Sequence, residues 1–321
     1  MYDIIGDVHG AADKLTGLLR RLGYRERNGA FRSGDHRVIF VGDLVDRGSE
    51  QVRTLHIVRS MVDTGSAQVV MGNHEFNAIG FATENPRGGP DFLRTHKGTK
   101  GVKNLRQQEA LLAEIPFGSM LHHETVAWFK TLPLWLELDQ IRVVHACWHR
   151  PSIDYLGVVA GPKSTFDDEF FVAAFQEETD EYIAAKTVLK GPEITLDDYG
   201  QPPFVDREGY SRRSARIRWW ASGKATLRSA ALIPEGSVTS DGSAYPALPN
   251  IACTEAAQFH YGPDEKPVFF GHYFKSGRPV IEQPAAACLD YGAERADASL
   301  VAYRFDGEPF LTSGHFVSYP E

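Results

Sequence analysis

The chain has 321 residues, of which 42% are hydrophobic and 24% are charged, as is ordinary for a globular protein. Its formal net charge of −8 argues against a general nucleic-acid-binding surface, because such surfaces are usually basic. We expect no signal peptide and no membrane span, since no basic stretch followed by an apolar run is visible. Three cysteines at wide spacing predict reduced thiols, and therefore a cytoplasmic protein.

The first predicted element is a short apolar strand, Tyr2–Ile5, which runs into the sequence GDVHG at Gly6–Gly10. A helix is predicted over Ala11–Leu22, because its leucines recur at helical spacing. The N-terminus of this helix faces the GDVHG loop, and helix N-termini favour anions such as phosphate. Turn residues between positions 28 and 35 predict a small hairpin before the next strand.

Two further strands end in charged loops. Val38–Val41 runs into GDLVDRG, which ends at Gly48 and precedes a helix over about Glu50–Met61. Gln68–Met71 runs into GNHE at Gly72–Glu75. Ligands of open α/β sheets bind outside the carboxyl ends of the strands. The three loops deliver oxygen and imidazole side chains of the kind that binds Zn, Mn or Fe: Asp7, His9, Asp43, Asn73 and His74.

The middle of the chain begins with a polar, glycine-rich stretch over 83–103, which predicts a long loop. Its basic side chains either meet an anionic substrate or are simply solvated. Helices are predicted over Leu105–Ile115 and His123–Thr131. A hairpin of Leu134–Leu138 and Ile141–His145 then delivers His145 at the end of a strand.

The second half is less regular. A helix is predicted over Phe166–Val188 and a loop over Gly191–Tyr210. A strand over Val268–Phe270 then delivers His272. We predict a single domain over 1–321 with insertions at about 83–103 and 151–265, because the ligand-type residues resume after the second insertion.

The motifs GDVHG, GDLVDRG and GNHE together resemble those of the calcineurin-like metallophosphoesterases. The DRG and GNHE forms look most like the phosphoprotein phosphatase branch, with its bacterial serine/threonine phosphatases and diadenosine tetraphosphatases. The resemblance covers residues 1–80 and returns at Val143–His145, Phe270–His272 and Cys288–Gly292. It implies an α/β sandwich of two mixed β-sheets flanked by helices, with the site at the strand ends.

The resemblance also implies a role for each site residue and two divalent metal ions, with Mn²⁺ first and Fe or Zn as alternatives. It places one metal on Asp7, His9 and Asp43, and the other on Asp43, Asn73, His145 and His272. In the family, the residue matching His74 protonates the leaving oxygen and the residue matching Asp46 orients it. Arg47 would bind phosphate oxygens with its planar guanidinium.

Some features leave alternatives open. Glu75 is either a partner of the site or merely an acid favoured in the first turn of a helix. A second phosphate-binding arginine is expected, and Arg218 and Arg216 are the candidates. The neighbouring Trp219 and Trp220 either stack on a nucleotide or belong to the core. Ala146-Cys147-Trp148 follows His145 where the phosphoprotein phosphatases usually have glycines, which predicts added bulk at the rim.

The predicted function is hydrolysis of phosphate monoesters by water activated at two metal ions, on a phosphoprotein or a small molecule. The alternative substrate is a dinucleoside polyphosphate such as diadenosine tetraphosphate. A non-enzymatic alternative is a binding module on an inactive phosphatase scaffold. The intact set of expected ligands disfavours it, because such a scaffold would be expected to have lost at least one of them.

Overall fold

The computed structural model describes residues 1–89, 91–161, 165–206, 209–221, 225–281 and 283–320. The chain divides into two compact units, one of Met1–Lys190 with Lys266–Glu321 and one of Gly191–Glu265. The second unit falls inside the predicted insertion at 151–265, whereas 151–190 belongs to the first unit. The single domain stays a prediction. Position 90, in the predicted loop of 83–103, lies outside the described residues.

The strands are short and are numbered here in chain order. The first seven are β1 (Tyr2–Ile5), β2 (Arg25–Arg27), β3 (Ala30–Arg32), β4 (Arg37–Phe40), β5 (Ala67–Val69), β6 (Trp135–Glu137) and β7 (Arg142–Val144). Those of the second unit are β8 (Glu193–Thr195), β9 (Phe204–Val205), β10 (Ser211–Arg212), β11 (Ser214–Ile217), β12 (Ala231–Leu232) and β13 (Val238–Thr239). The last four are β14 (Val268–Phe270), β15 (Ala286–Cys288), β16 (Leu300–Phe305) and β17 (Phe316–Tyr319).

Most helices belong to the first unit. They are α1 (Ala12–Arg21), α2 (Gln51–Asp63), α3 (Asn73–Ala82), α4 (Gly98–Glu114), α5 (Met120–Phe129), α6 (Arg150–Ala160), α7 (Asp168–Ala174) and α8 (Asp180–Lys190). The second unit has the short helices α9 (Leu227–Ala230) and α10 (Thr254–Ala257). Among the described residues, none of the helices combines the length and the apolar character needed to cross a membrane.

The first sheet has the order β17-β16-β1-β4-β5 and mixes parallel with antiparallel pairs. Its parallel strands end at the same level, since Ile5 pairs with Phe40 and Phe40 pairs with Val69. The carboxyl ends of parallel strands meet at one edge, so this register brings the GDVHG, GDLVDRG and GNHE loops together.

The second sheet has the order β15-β14-β7-β6, with β7 and β14 parallel. Phe269 pairs with Val143, so His145 and His272 follow their strands at the same edge. Apolar side chains of both sheets form one buried cluster that includes Ile4, Ile39, Val143 and Phe269. Burial of each such side chain contributes about 1.5–3 kcal/mol. The predicted sandwich of two mixed sheets flanked by helices is confirmed.

The predicted helix over Phe166–Val188 is wrong in one respect, because the structure has two helices there. The Asp167 side chain accepts a hydrogen bond from Phe170 N and begins α7. The Thr179 hydroxyl accepts one from Tyr182 N at the start of α8. Side-chain capping of this kind satisfies N–H groups that a helix leaves free and so restarts it after a break.

The second unit has two three-stranded sheets, of order β10-β9-β13 and β12-β11-β8. The predicted loop at Gly191–Tyr210 contains β8 and β9, which are too short to give a periodic pattern. Trp219 is buried and meets the rings of Trp220 and Tyr261 edge to face, each at 5.7 Å. The two tryptophans are therefore packing residues of this unit.

Candidate active site

The first two motif loops form one hydrogen-bonded layer. The carbonyl oxygen of Asp43 accepts bonds from Val8 N at 3.1 Å and from His9 N at 2.9 Å. Gly10 N donates to the carbonyl oxygen of Leu44 at 2.8 Å. The loop after β1 therefore fixes the backbone that carries Asp43.

The backbone of the site is unusual at several of the predicted site residues. His9, Asp43, Asp46, Arg47 and His272 all have a positive φ, between 46° and 67°. Such a conformation costs of order 1–3 kcal/mol at a residue other than glycine, and it persists only where the surroundings enforce it.

Glu75 supplies part of that enforcement. Its buried carboxylate accepts hydrogen bonds from the N–H groups of Asp43, Leu44 and Gly72 at 2.9 Å each, and from Val45 at 3.3 Å. Burial and the charge of Asp43 raise the pKa of Glu75 to about 7. The alternative left open by the sequence is thereby decided, because Glu75 anchors the loop that carries Asp43.

Glycines mark the closest backbone approaches. A Cβ atom on Gly72 would lie 2.1 Å from Asp43 N, and one on Gly42 would lie 2.5 Å from Gly72 N. A Cβ atom on Gly271 would lie 1.8 Å from Asp7 Oδ1. A side chain at any of these three positions would force the neighbouring atoms to move, so Gly42, Gly72 and Gly271 allow the loops to pack this closely around Asp43 and Asp7.

Asp43 is the centre of the predicted ligand set. Its carboxylate lies within 4.8 Å of ligand atoms of His9 and His74 in one cluster, and of His145 and His272 in another. Its Oδ2 is 3.6 Å from His9 Nε2, and its Oδ1 is 3.4 Å from His145 Nε2. The two carboxylate oxygens therefore face different imidazoles.

Asn73 and Asp7 complete the set that the structure brings together. Asn73 Oδ1 is 3.1 Å from His145 Nε2. Asp7 Oδ2 accepts a hydrogen bond from His272 N at 3.1 Å. Burial and the charges of Asp290 and Asp43 raise the pKa of Asp7 well above its ordinary value, because carboxylates that share a buried site repel one another. A bound cation would remove that repulsion.

The tautomer of His9 fits a metal ligand. Its Nδ1 donates to the carbonyl oxygen of Val45 at 2.8 Å, which leaves a lone pair on Nε2. Burial and the charge of Arg47 lower the pKa of His9 well below its ordinary value, so the ring is neutral. His9 Nε2 and Asp7 Oδ1 are buried and have no hydrogen-bond partner among the described residues. Buried acceptors of this kind fit a divalent cation.

His74 and Asp46 form the predicted contact. His74 Nδ1 donates to Asp46 Oδ2 at 2.7 Å, and Gln108 Nε2 donates to the same oxygen at 3.2 Å. Although burial lowers the pKa of His74, the carboxylates of Asp43 and Asp46 raise it above its ordinary value. The ring can therefore hold a second proton on Nε2, which lies 3.9 Å from Asp43 Oδ2.

Two glutamines support this pair, and no motif points to them. Gln51 Oε1 accepts from Asp46 N at 2.8 Å, while Gln51 Nε2 donates to the carbonyl oxygen of Gly48 at 2.6 Å. Gln108 reaches Asp46 from α4. A glutamine gives no signal in a single sequence, because the same residue type is common on exposed helix faces.

Arg47 lies at the edge of the site, with a side chain that is 46% exposed. It donates to Glu294 Oε1 at 3.3 Å. Although burial lowers the pKa of Arg47, the charges of Asp290 and Glu294 raise it. Glu294 lies outside the sequence motifs, so the motifs do not predict that it pairs with Arg47.

The remaining candidates behave differently. Arg216 and Arg218 belong to the second unit, and their role in binding phosphate stays a prediction. The sequence predicted added bulk at the rim of the site after His145. This prediction is corrected by the structure, in which Ala146, Cys147 and Trp148 are buried. Burial of apolar side chains stabilises the folded state, so these residues pack inward instead of lining the rim.

The basic stretch at 83–103 is partly structural. Arg94 donates to side-chain oxygens of Asn77, Asn104 and Gln107, and so ties α3 to α4. Arg87 donates to Gln176 at 2.7 Å. Lys97 lies 3.8 Å from Asp91, whereas the exposed Lys100 keeps both sequence interpretations open, contact with an anion or simple solvation.

Comparison with known proteins finds named proteins of similar sequence. The asymmetrical bis(5′-nucleosyl)-tetraphosphatase PrpE of Geobacillus thermodenitrificans is 45% identical over 167 residues, which are 51% of this chain and 63% of the relative. The protein of the same name from Oceanobacillus iheyensis is 30% identical over 145 residues, which are 45% of this chain and 54% of the relative. The chain thus spans between half and two thirds of the length of these two relatives.

A solved structure shares the fold. The cold-active protein-tyrosine phosphatase of a Shewanella species superposes with a TM-score of 0.50 at 14% identity, covering 97% of this chain and 79% of that one. The sequence profile described as calcineurin-like phosphoesterase matches residues 2–184, which is more than half of the 321 residues. The chain therefore belongs to the calcineurin-like phosphoesterase family.

Proposed function

We propose that the chain is a metal-dependent phosphoric ester hydrolase. One observation carries this proposal, namely that Asp43 Oδ2 lies 3.6 Å from His9 Nε2 while Asp43 Oδ1 lies 3.4 Å from His145 Nε2, with a ligand atom of His272 within 4.8 Å of Asp43 and His145. Such a buried group of carboxylate and imidazole ligands suits two divalent cations that share one carboxylate.

The metal assignment is part of the proposal. The residues that would hold the cations are Asp7, His9 and Asp43 for one and Asp43, Asn73, His145 and His272 for the other, with Mn²⁺ first and Fe or Zn as alternatives. When bound, such a pair polarises a phosphoryl oxygen and supplies a nucleophilic water at neutral pH. The three free, buried cysteines support a reducing compartment, and we place the protein in the cytoplasm.

The residues of the chain supply the proton and the orientation. The carboxylate of Asp46 fixes the imidazole of His74 through Nδ1, so that Nε2 can donate a proton to the leaving oxygen. Arg47 presents a planar guanidinium at the edge of the site, where its N–H groups can bind oxygens of the reacting phosphoryl group.

The names of the relatives support a dinucleoside tetraphosphate as substrate, which was the alternative in the sequence analysis. Arg47 by itself supports a second candidate, a phosphomonoester, because a terminal phosphate offers a guanidinium more charge than an internal one does, although the pairing of Arg47 with Glu294 opposes this preference. The phosphomonoester can be protein-borne or small.

The test uses the purified full chain, stripped with a chelator and reloaded with Mn²⁺, Fe²⁺ or Zn²⁺. We expect no hydrolysis of diadenosine tetraphosphate, a phosphopeptide or an aryl phosphate without metal, and recovery with Mn²⁺. His9→Asn should lower both the metal content and the rate, whereas His36→Asn should change neither, because His36 pairs with Asp306 instead. Full activity in a preparation that elemental analysis finds free of metal would refute the proposal.

A further inference from the structure

Two acidic side chains already accompany the Arg47 guanidinium. Glu294 Oε1 lies 3.3 Å from an Arg47 nitrogen, and the Glu294 side chain is only 14% exposed. Its other oxygen, Oε2, is buried and has no hydrogen-bond partner among the described residues. Asp290 is 3% exposed, and its charge raises the pKa of Arg47. Much of the positive charge of Arg47 that would attract a phosphate is therefore neutralised by acidic side chains of the protein itself.

The segment that carries Glu294 is held in place. Gly292 has a φ of 69°, and its N–H donates to Asp290 Oδ1 at 3.1 Å. Lys14 of α1 donates to the carbonyl oxygens of Arg295 at 2.5 Å and of Ala298 at 2.6 Å. These bonds on both sides of Glu294 keep its carboxylate beside Arg47.

We propose that Glu294 is a specificity-determining residue that disfavours a dianionic phosphoryl group beside Arg47. It thereby favours substrates whose reacting phosphorus carries a single negative charge, as in a phosphodiester or an internal phosphate of a nucleoside polyphosphate. This inference rests on the proposed hydrolysis and names the substrate class within it.

The physical reason is electrostatic. A phosphoryl oxygen that binds Arg47 must either share the guanidinium with Glu294 or displace it. The repulsion from the carboxylate scales with the charge brought up to it, so a dianion meets about twice the repulsion that a monoanion meets at the same distance. The Glu294 carboxylate therefore lowers the affinity of an internal phosphate for the position beside Arg47 by less than it lowers that of a terminal phosphate. Glu294 thereby selects for the internal phosphate.

The experiment compares two substrates with the same leaving group, an aryl phosphate and the corresponding diaryl phosphate, on Mn²⁺-loaded protein. In Glu294→Gln we expect the ratio of kcat/KM for the monoester to that for the diester to rise about three- to tenfold. The matched control is Asp297→Asn in the same segment, whose 75% exposed side chain pairs with Arg295 and should leave the ratio unchanged. In an Arg47→Ala background, Glu294→Gln should change the ratio much less.

A binding measurement makes the test independent of turnover. Titration calorimetry with orthophosphate should give a lower Kd for Glu294→Gln than for the wild type, by a similar factor. Glu294→Met removes the same charge with a similar volume, and should agree if the variants keep the wild-type Tm.

An unchanged or lower ratio together with unchanged orthophosphate affinity would overturn the inference, as would an equal shift in Asp297→Asn. If the wild type with metal hydrolyses neither aryl substrate, and also neither diadenosine tetraphosphate nor the phosphopeptide, the proposed function fails, and the orthophosphate titration alone then decides the role of Glu294.

Discussion

Asp43 combines an unusual backbone conformation with contacts of both its carbonyl oxygen and its carboxylate. Its φ is 49°, its carbonyl oxygen accepts from the GDVHG loop, and its carboxylate oxygens face His9 and His145. Although burial raises the pKa of Asp43, the imidazoles of His145 and His74 hold it well below its ordinary value. An ionised carboxylate at this point is what a shared metal ligand requires.

The proposed role of His74 predicts a dependence on the leaving group. His74→Asn should keep its metals, because His74 is not among the assigned ligands. Loss of a general acid lowers a rate by about 10²–10⁴-fold. We expect that loss on alkyl phosphates and a smaller one on aryl phosphates, whose leaving oxygen barely needs a proton. Equal losses on both, measured as kcat, would count against the role.

Gly271 predicts the effect of a single methyl group. In Gly271→Ala the new Cβ atom would displace the Asp7 carboxylate, since it would lie 1.8 Å from Oδ1. We expect metal affinity to fall about 10- to 100-fold, as it does when a ligand loses its support. Gly157→Ala is the control, because its nearest neighbour is a Trp135 atom at 3.8 Å. Titration of metal-free protein with Mn²⁺ checks both, and equal affinities would contradict the prediction.

At the scale of the elements, the helices support loops that they do not contain. Glu114, the last residue of α4, accepts hydrogen bonds from Gln51 N at 2.7 Å and Val52 N at 3.1 Å, and so caps the start of α2. Gln51 in turn holds the turn of Asp46 and Gly48. The support of the His74–Asp46 pair thus runs through two helices.

Removal of that cap should be measurable. Glu114→Ala should lower the free energy of unfolding by about 0.5–2 kcal/mol, because two N–H groups at the start of α2 lose their acceptor. Glu109→Ala, at an exposed position of the same helix, should change it by less than about 0.5 kcal/mol. Urea unfolding monitored by circular dichroism distinguishes them, and similar values for the two variants would remove the capping role.

The sequence predicted those parts of the site that follow directly after strands. Strand β1 was predicted at its observed bounds, and the loops after β1, β4 and β5 meet as the motifs indicated. Gln108 and Glu294 could not be predicted, because each contacts its partner across a large sequence separation and belongs to no motif. The helix break before α8 depends on a single threonine cap, which a periodic pattern does not reveal.

At the scale of the whole molecule, the two ends of the first unit join in the central sheet. β1 pairs with β16, and Arg304 of β16 donates to both oxygens of the buried Asp3 of β1 at 2.8 and 3.1 Å. Tyr24 donates to the same carboxylate at 3.0 Å. This network fixes the register of the strands, since a shift of one residue would separate the charged groups.

Asp3→Asn should therefore destabilise the fold. Breaking a buried ion pair leaves an uncompensated charge, and because Arg304 is partly exposed we expect a loss of about 2–4 kcal/mol. Asp154→Asn, which breaks the exposed pair with Arg150, should cost less than about 0.5 kcal/mol. Thermal unfolding of both variants checks this, and equal Tm values would show that the network contributes little.

The pairing of β1 with β16 also bears on the order in which the protein folds. Tyr2 contacts Phe305, so this part of the sheet closes only after a very long loop has closed. Proteins dominated by such distant contacts fold slowly. His272 is separated from Asp7 and His9 by most of that loop, so a chain that has formed only its first half would lack one of the proposed metal ligands. Divalent cations should consequently slow unfolding of the finished protein without accelerating the early steps of refolding.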